Sequence, residues 1–89
     1  MLKRHVDQVW ARLDHLYANG ITFSSWGELY HWYNIERLSK TPWRDLEARW
    51  EQLLEEKGEK PSDPQIAEVL GGVSFFFSRK PGRLSERAA

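Results

Sequence analysis

Leu2, Val6, Val9, Leu13 and Leu16 step along the chain by four, three, four and three residues. That spacing places all five side chains on one stripe of an α-helix and on no single face of a strand. Trp10 and Tyr17 widen the stripe on one flank, and Asn19-Gly20 ends it, because Gly adopts the left-handed helix C-cap without steric cost. An amphipathic helix must bury its apolar stripe against other layers. The rest of this 89-residue chain has to supply them, and a chain of this length holds one core only.

The material for that core is aromatic. Five Trp, four Phe and three Tyr are present, each able to bury roughly 150–250 Å². Ile21-Thr22-Phe23 reads as a short strand, being β-branched and aromatic. Ser25-Trp26-Gly27-Glu28 fits a capping box and opens a second helix ending near Asn34, with Trp26, Leu29, Tyr30 and Tyr33 on one face and Trp32 off it. Thr41-Pro42 predicts the cap and first residue of a third helix, whose stripe is Trp43, Leu46, Trp50, Leu53 and Leu54 and which runs to about Lys57 before Gly58.

Residues 65–70 admit two readings. Ser62-x-x-Gln65 as a capping box, Asp63-Pro64 as cap and first residue, and Gly71 as C-cap favour a short helix. Alternatively, Ile66 to Leu70 is a strand turned by Gly71-Gly72 into Val73 to Ser78. Both keep Val73 to Ser78 extended, with Ile21 to Phe23 as its partner. The expected fold class is therefore mostly α (α+β), three helices and a two- or three-stranded antiparallel sheet. Residues 1–78 form the single domain, and residues 79–89 a basic tail.

Thirteen Lys and Arg balance thirteen Asp and Glu, so net charge supplies no long-range attraction to phosphate, and any nucleic-acid role needs a local patch. Such patches exist. The C-terminal Arg79, Lys80, Arg83 and Arg87 are basic, whereas Glu51, Glu55, Glu56 and Glu59 make the end of the third helix acidic. The absence of cysteine removes disulfides and thiolate chemistry. His5, His15 and His31 fall at no zinc spacing, and Glu28-x-x-His31 lacks the companion helices of a di-iron site. Ser24 and Ser25 have no base beside them, and Gly71-Gly72 is no phosphate loop. The expectation is a non-enzyme without metal or cofactor. With Phe75-Phe76-Phe77 as the longest apolar run and no apolar leader after Met1, it is also a cytoplasmic chain with no membrane segment.

The order of elements resembles a winged helix-turn-helix domain, in which the third helix enters the major groove and the hairpin is the wing. Within it, Ile35-x-x-Leu38-Ser39-Lys40-Thr41-x-x-Arg44-Asp45-Leu46 is similar to the turn and recognition-helix start of DeoR-type repressors. That resemblance implies that Ser39, Lys40, Thr41 and Arg44 lie at the DNA, with Arg79, Lys80 and Arg83 as further phosphate contacts. Gly58-x-x-Pro61-Ser62-Asp63-x-x-Ile66-Ala67-Glu68-x-Leu70-Gly71 resembles the opening of the third region of bacterial sigma factors. It supports the helical reading of 65–70.

Two functions follow. One is a small winged-helix-like regulator or accessory protein that binds double-stranded DNA. The other is a non-catalytic protein-interaction module, an adaptor or inhibitor, working through Trp32, Phe76, Glu51 and Glu55. Strand alternation forces at least one residue of the Phe run onto the opposite face from its neighbours, so an exposed Phe76 beside Trp32 would make a partner or self-association surface. A homodimer stays open. Basic side chains gathered on one face would favour DNA, and scattered charges beside exposed aromatic residues a protein.

Overall fold

The computed structural model describes residues 1–37 and 39–78. Its elements run α1 (Lys3–Asn19), β1 (Ile21–Ser25), α2 (Trp26–Tyr33), α3 (Lys40–Glu56), β2 (Gln65–Val69) and β3 (Gly72–Phe76). The three strands form one antiparallel sheet in the order β1-β3-β2. This is the expected α+β class, three helices with a small three-stranded antiparallel sheet. No helix of the described residues is long and apolar enough to cross a membrane.

Each helix begins and ends for a local reason. Gly20 closes α1 at φ 81°, its N–H donating to Leu16 O, and a side chain there would be strained by the left-handed backbone. At the head of α2 the capping box is complete, since Ser25 Oγ accepts from Glu28 N–H at 3.1 Å and Ser25 N–H donates to Glu28 Oε1 at 3.0 Å. α3 starts two residues before the sequence reading: Ser39, not Thr41, is the cap, accepting from Thr41 N–H. Pro42 still lies in the first turn, where its missing N–H has no intrahelical partner to lose.

The core lies where Val9, Leu13 and Leu16 of α1 meet Leu29 and Trp32 of α2, Leu46, Trp50, Leu53 and Leu54 of α3, and Val73 and Phe75 of β3. Aromatic contacts join the layers. Trp50 meets Phe77 edge-on at 4.9 Å between ring centroids, and Trp43 lies 6.5 Å from Phe75. Polar groups that reach inward are satisfied: Trp50 Nε1 donates to Ser62 O (2.9 Å), and Tyr33 OH donates to Asp45 Oδ2 (2.6 Å), which Arg49 also holds. Burial and that carboxylate push the Tyr33 phenol well above its usual range.

Two readings are corrected here. Residues 65–69 are a strand, not a helix, because a six-residue helix gains few hydrogen bonds for its costly nucleus, whereas β3 offers this segment a full ladder. The second concerns α2, whose buried pair is Leu29 and Trp32. Trp32 faces α1, its Nε1 donating to Gln8 Oε1 at 2.6 Å, and is only 2% exposed, so it is core and not a partner-binding surface. Trp26 packs half-buried against the core and also anchors the β2–β3 hairpin: its backbone N–H donates to Gly71 O and its Nε1 to Val69 O.

Candidate interaction surface

Strand alternation divides the sheet into two chemically different faces. Thr22, Ser24, Val73 and Phe75 turn toward the helices and are buried. The opposite face follows from the register as three cross-strand rows, Ile21-Phe76-Gln65, Phe23-Ser74-Ala67 and Ser25-Gly72-Val69. Its apolar members Ile21, Phe23, Phe76 and Val69 are all exposed, Phe23 at 44% and Val69 at 52%. Leu70 at the hairpin turn is 99% exposed, and every residue of β2 is exposed. Phe76 thus lies on the open face, while Trp32 is buried against α1.

The outward stripe of α3 is mixed in sign. Ser39, Lys40, Thr41 and Arg44 are all exposed around its start, with no acidic residue in the first turn. Below them Glu47, Glu51 and Glu55 follow at four-residue steps on the same exposed stripe. Asp63, from the loop before β2, joins them: Glu47, Glu51 and Asp63 bring carboxylate oxygens within 4.8 Å of one another. Beside these lies an apolar slot of about 200 Å³ between α3 and β2, walled by Leu13, Trp43, Leu46, Trp50, Ile66 and Phe75, with Glu47 and Asp63 at its margin.

Several basic side chains are engaged elsewhere. Arg12 forks onto Glu28, donates to Phe23 O at 2.6 Å and lies over the Trp32 ring. This arrangement ties α1 to β1 and α2, and with the Ser25 N–H it holds the Glu28 carboxyl below its usual range. Arg49 pairs with Asp45 and lies over Trp10, and Lys57 lies over Tyr17. Arg79, Lys80 and Arg83 fall outside the described residues.

A histidine also sits inward. His5 is buried, its ring 4.5 Å from that of His31, and desolvation lowers its pKa, with His31, Arg4 and the amino terminus adding repulsion. A histidine depressed in the folded state takes up its proton more readily when unfolded, so stability is full above the ordinary value of about 6.5 and declines as pH falls through and below it. The midpoint of urea unfolding is expected to drop between about pH 7.5 and about pH 5.5. His5→Gln should flatten that dependence, and an unchanged slope in the variant would refute the assignment.

Comparison with family models, with curated proteins and with solved structures gives no match. The surface therefore rests on its own geometry. Ile21, Phe23, Val69 and Leu70 were not among the residues singled out in the sequence; alternation along Ile21 to Phe23 carried a signal for the first two. Nothing local marked Asp63, which reaches Glu47 and Glu51 only through the return of the chain into β2.

Proposed function

We propose that this chain is a non-catalytic protein-interaction module of winged-helix-like layout whose docking region is the β2–β3 hairpin and the outer face of the sheet. The observation that carries this reading is the run of exposed apolar side chains from Ile21, Phe23 and Phe76 to Val69 and Leu70. Ile21, Phe23 and Phe76 lie on β1 and β3, whose other face is buried, so their exposure is not a consequence of loose folding. Contiguous apolar surface of this kind marks interaction sites.

The charges agree with it. On α3, the carboxylates of Glu47, Glu51 and Glu55 would meet a nucleic-acid backbone with repulsion. Arg12 and Arg49 are held by Glu28 and Asp45. A second reading, contact with double-stranded DNA, is favoured by Lys40 and Arg44, which stand exposed at a helix start where the macrodipole already attracts anions.

Selection from a displayed random-peptide library tests the docking reading. The wild-type protein should enrich a consensus, and the Val69→Ser/Leu70→Ser variant, whose changes lie at exposed positions, should lose it while keeping its circular dichroism. Enrichment that survives in the variant, or none with either protein, would contradict the reading.

A further inference from the structure

The register fixes which main-chain groups of β2 point away from the sheet. Phe77 N–H donates to Gly20 O (2.9 Å) and Trp26 N–H to Gly71 O (3.3 Å), which sets the phase of the β1–β3 ladder. By alternation Phe75 and Val73 bond to β1, while Phe76, Ser74 and Gly72 bond to β2. Their partners Gln65, Ala67 and Val69 therefore point into the sheet, and the N–H and C=O groups of Ile66 and Glu68 point outward along an open edge. Among the described residues, no main-chain hydrogen bond outside the sheet engages either of them.

Next to that edge are the apolar slot and the three carboxylates. Ile66 belongs to both features, since its main chain is part of the open edge and its side chain lines the slot. A strand added beside β2 would place alternate side chains on the same face as Ile66. One of them would reach the slot, and another two positions away would lie on the side where Glu47, Glu51 and Asp63 converge.

We propose that β2 accepts an extended segment of a partner protein as a fourth strand, the segment carrying an apolar residue and an arginine or lysine two positions apart, for the slot and the carboxylates respectively. Charge selects this occupant. Three carboxylates held so close repel one another and favour a cation, and a guanidinium meets carboxylates with a fork of donors. A second copy of β2 is a poor occupant, because Gln65-Ile66-Ala67-Glu68-Val69 carries an acid and no base. The proposal rests on the reading of the hairpin as a docking region and names the partner it takes.

The test uses a synthetic peptide of about nine residues that alternates Thr with Leu and Arg, beside its twin with Glu in place of Arg. Tryptophan fluorescence reports on Trp43 and Trp50 in the slot wall, and amide resonances report on Ile66 and Glu68. The basic peptide should bind, protect the Ile66 and Glu68 amides from exchange and weaken with salt. The acidic twin should bind roughly tenfold or more weakly, as should the basic peptide to the Glu47→Gln/Glu51→Gln/Asp63→Asn variant, whose exposed positions leave the urea midpoint near that of the wild type. Equal binding of the two peptides, no binding, or no protection of those amides would overturn the proposal. If the library yields a consensus without basic residues that Val69→Ser/Leu70→Ser loses, the docking region stands and the basic segment falls. If it yields nothing, both fall.

Discussion

Replacing Gly72 with alanine is expected to lower the unfolding free energy by about 3 kcal/mol, the upper part of the range for forcing a methyl group into filled space. A Cβ on Gly72 would point at Ser24 O, would come within 2.7 Å of Phe23 Cζ and within 2.8 Å of Ser25 Cα. Two of those atoms are backbone of β1, so relief requires β1 and β3 to separate. The reason lies in the fold: Gly72 stands opposite Ser25 in the register, where β1 turns directly into α2, and the Phe23 ring lies across the vacant position. Gly71, its neighbour, is the control. A Cβ there meets nothing within 4 Å, and Gly71→Ala is expected to change stability by less than about 0.5 kcal/mol. Urea unfolding followed by far-ultraviolet circular dichroism measures both. Similar midpoints for the two variants would show that the strands do not approach as described.

Trp50→Ala is expected to cost about 4 kcal/mol, enough to unfold a domain of marginal stability. Trp50 is 1% exposed, stands edge-on to Phe77 and anchors the loop before β2 through its bond to Ser62 O. Trp50→Phe separates these roles, since the aromatic contact largely survives while Ser62 O loses its donor. That variant should cost about 1–2 kcal/mol. Equal costs for the two variants would mean that ring packing contributes little, contrary to the layered core described above. Loss of the Ser62 anchor should also loosen the approach to β2 and with it the position of Asp63.

Much of the fold was legible because its signals are local. The stripe from Val9 to Leu16 with its Gly20 cap, the Ser25 and Glu28 capping box, and the Leu46 to Leu54 stripe each lie within one element. The segment 65–69 was not legible, because Ser62, Asp63 and Pro64 are equally good at starting a helix and at leading into an edge strand, and the decision came from β3. Trp32 misled for a related reason. In a helix of eight residues the inward face is set by the neighbour that arrives, here α1 with Gln8. His5, a polar residue at an inward position four before Val9, was hidden among the apolar positions.

The candidate surface was legible in part. The run Phe75 to Phe77 announced that one Phe must face outward, and Phe76 does. Glu51 and Glu55 are exposed on α3 as the amphipathic pattern requires. What no local pattern contained was the junction of Phe76 with Ile21, Phe23 and Val69, which belong to three strands, or of Glu47 and Glu51 with Asp63. Such groupings arise only from tertiary pairing.

Binding of the protein to labelled random duplex DNA, followed by fluorescence anisotropy at about 50 mM and about 200 mM salt, tests most directly whether the hairpin and not the start of α3 is the working surface. Beside it stands the Lys40→Ala/Arg44→Ala variant, altered only at exposed positions. The account predicts little binding at either salt concentration and no difference between the two proteins. Tight binding at low salt that falls steeply at high salt, and that the double variant loses, would contradict it and return the chain to the DNA-binding reading.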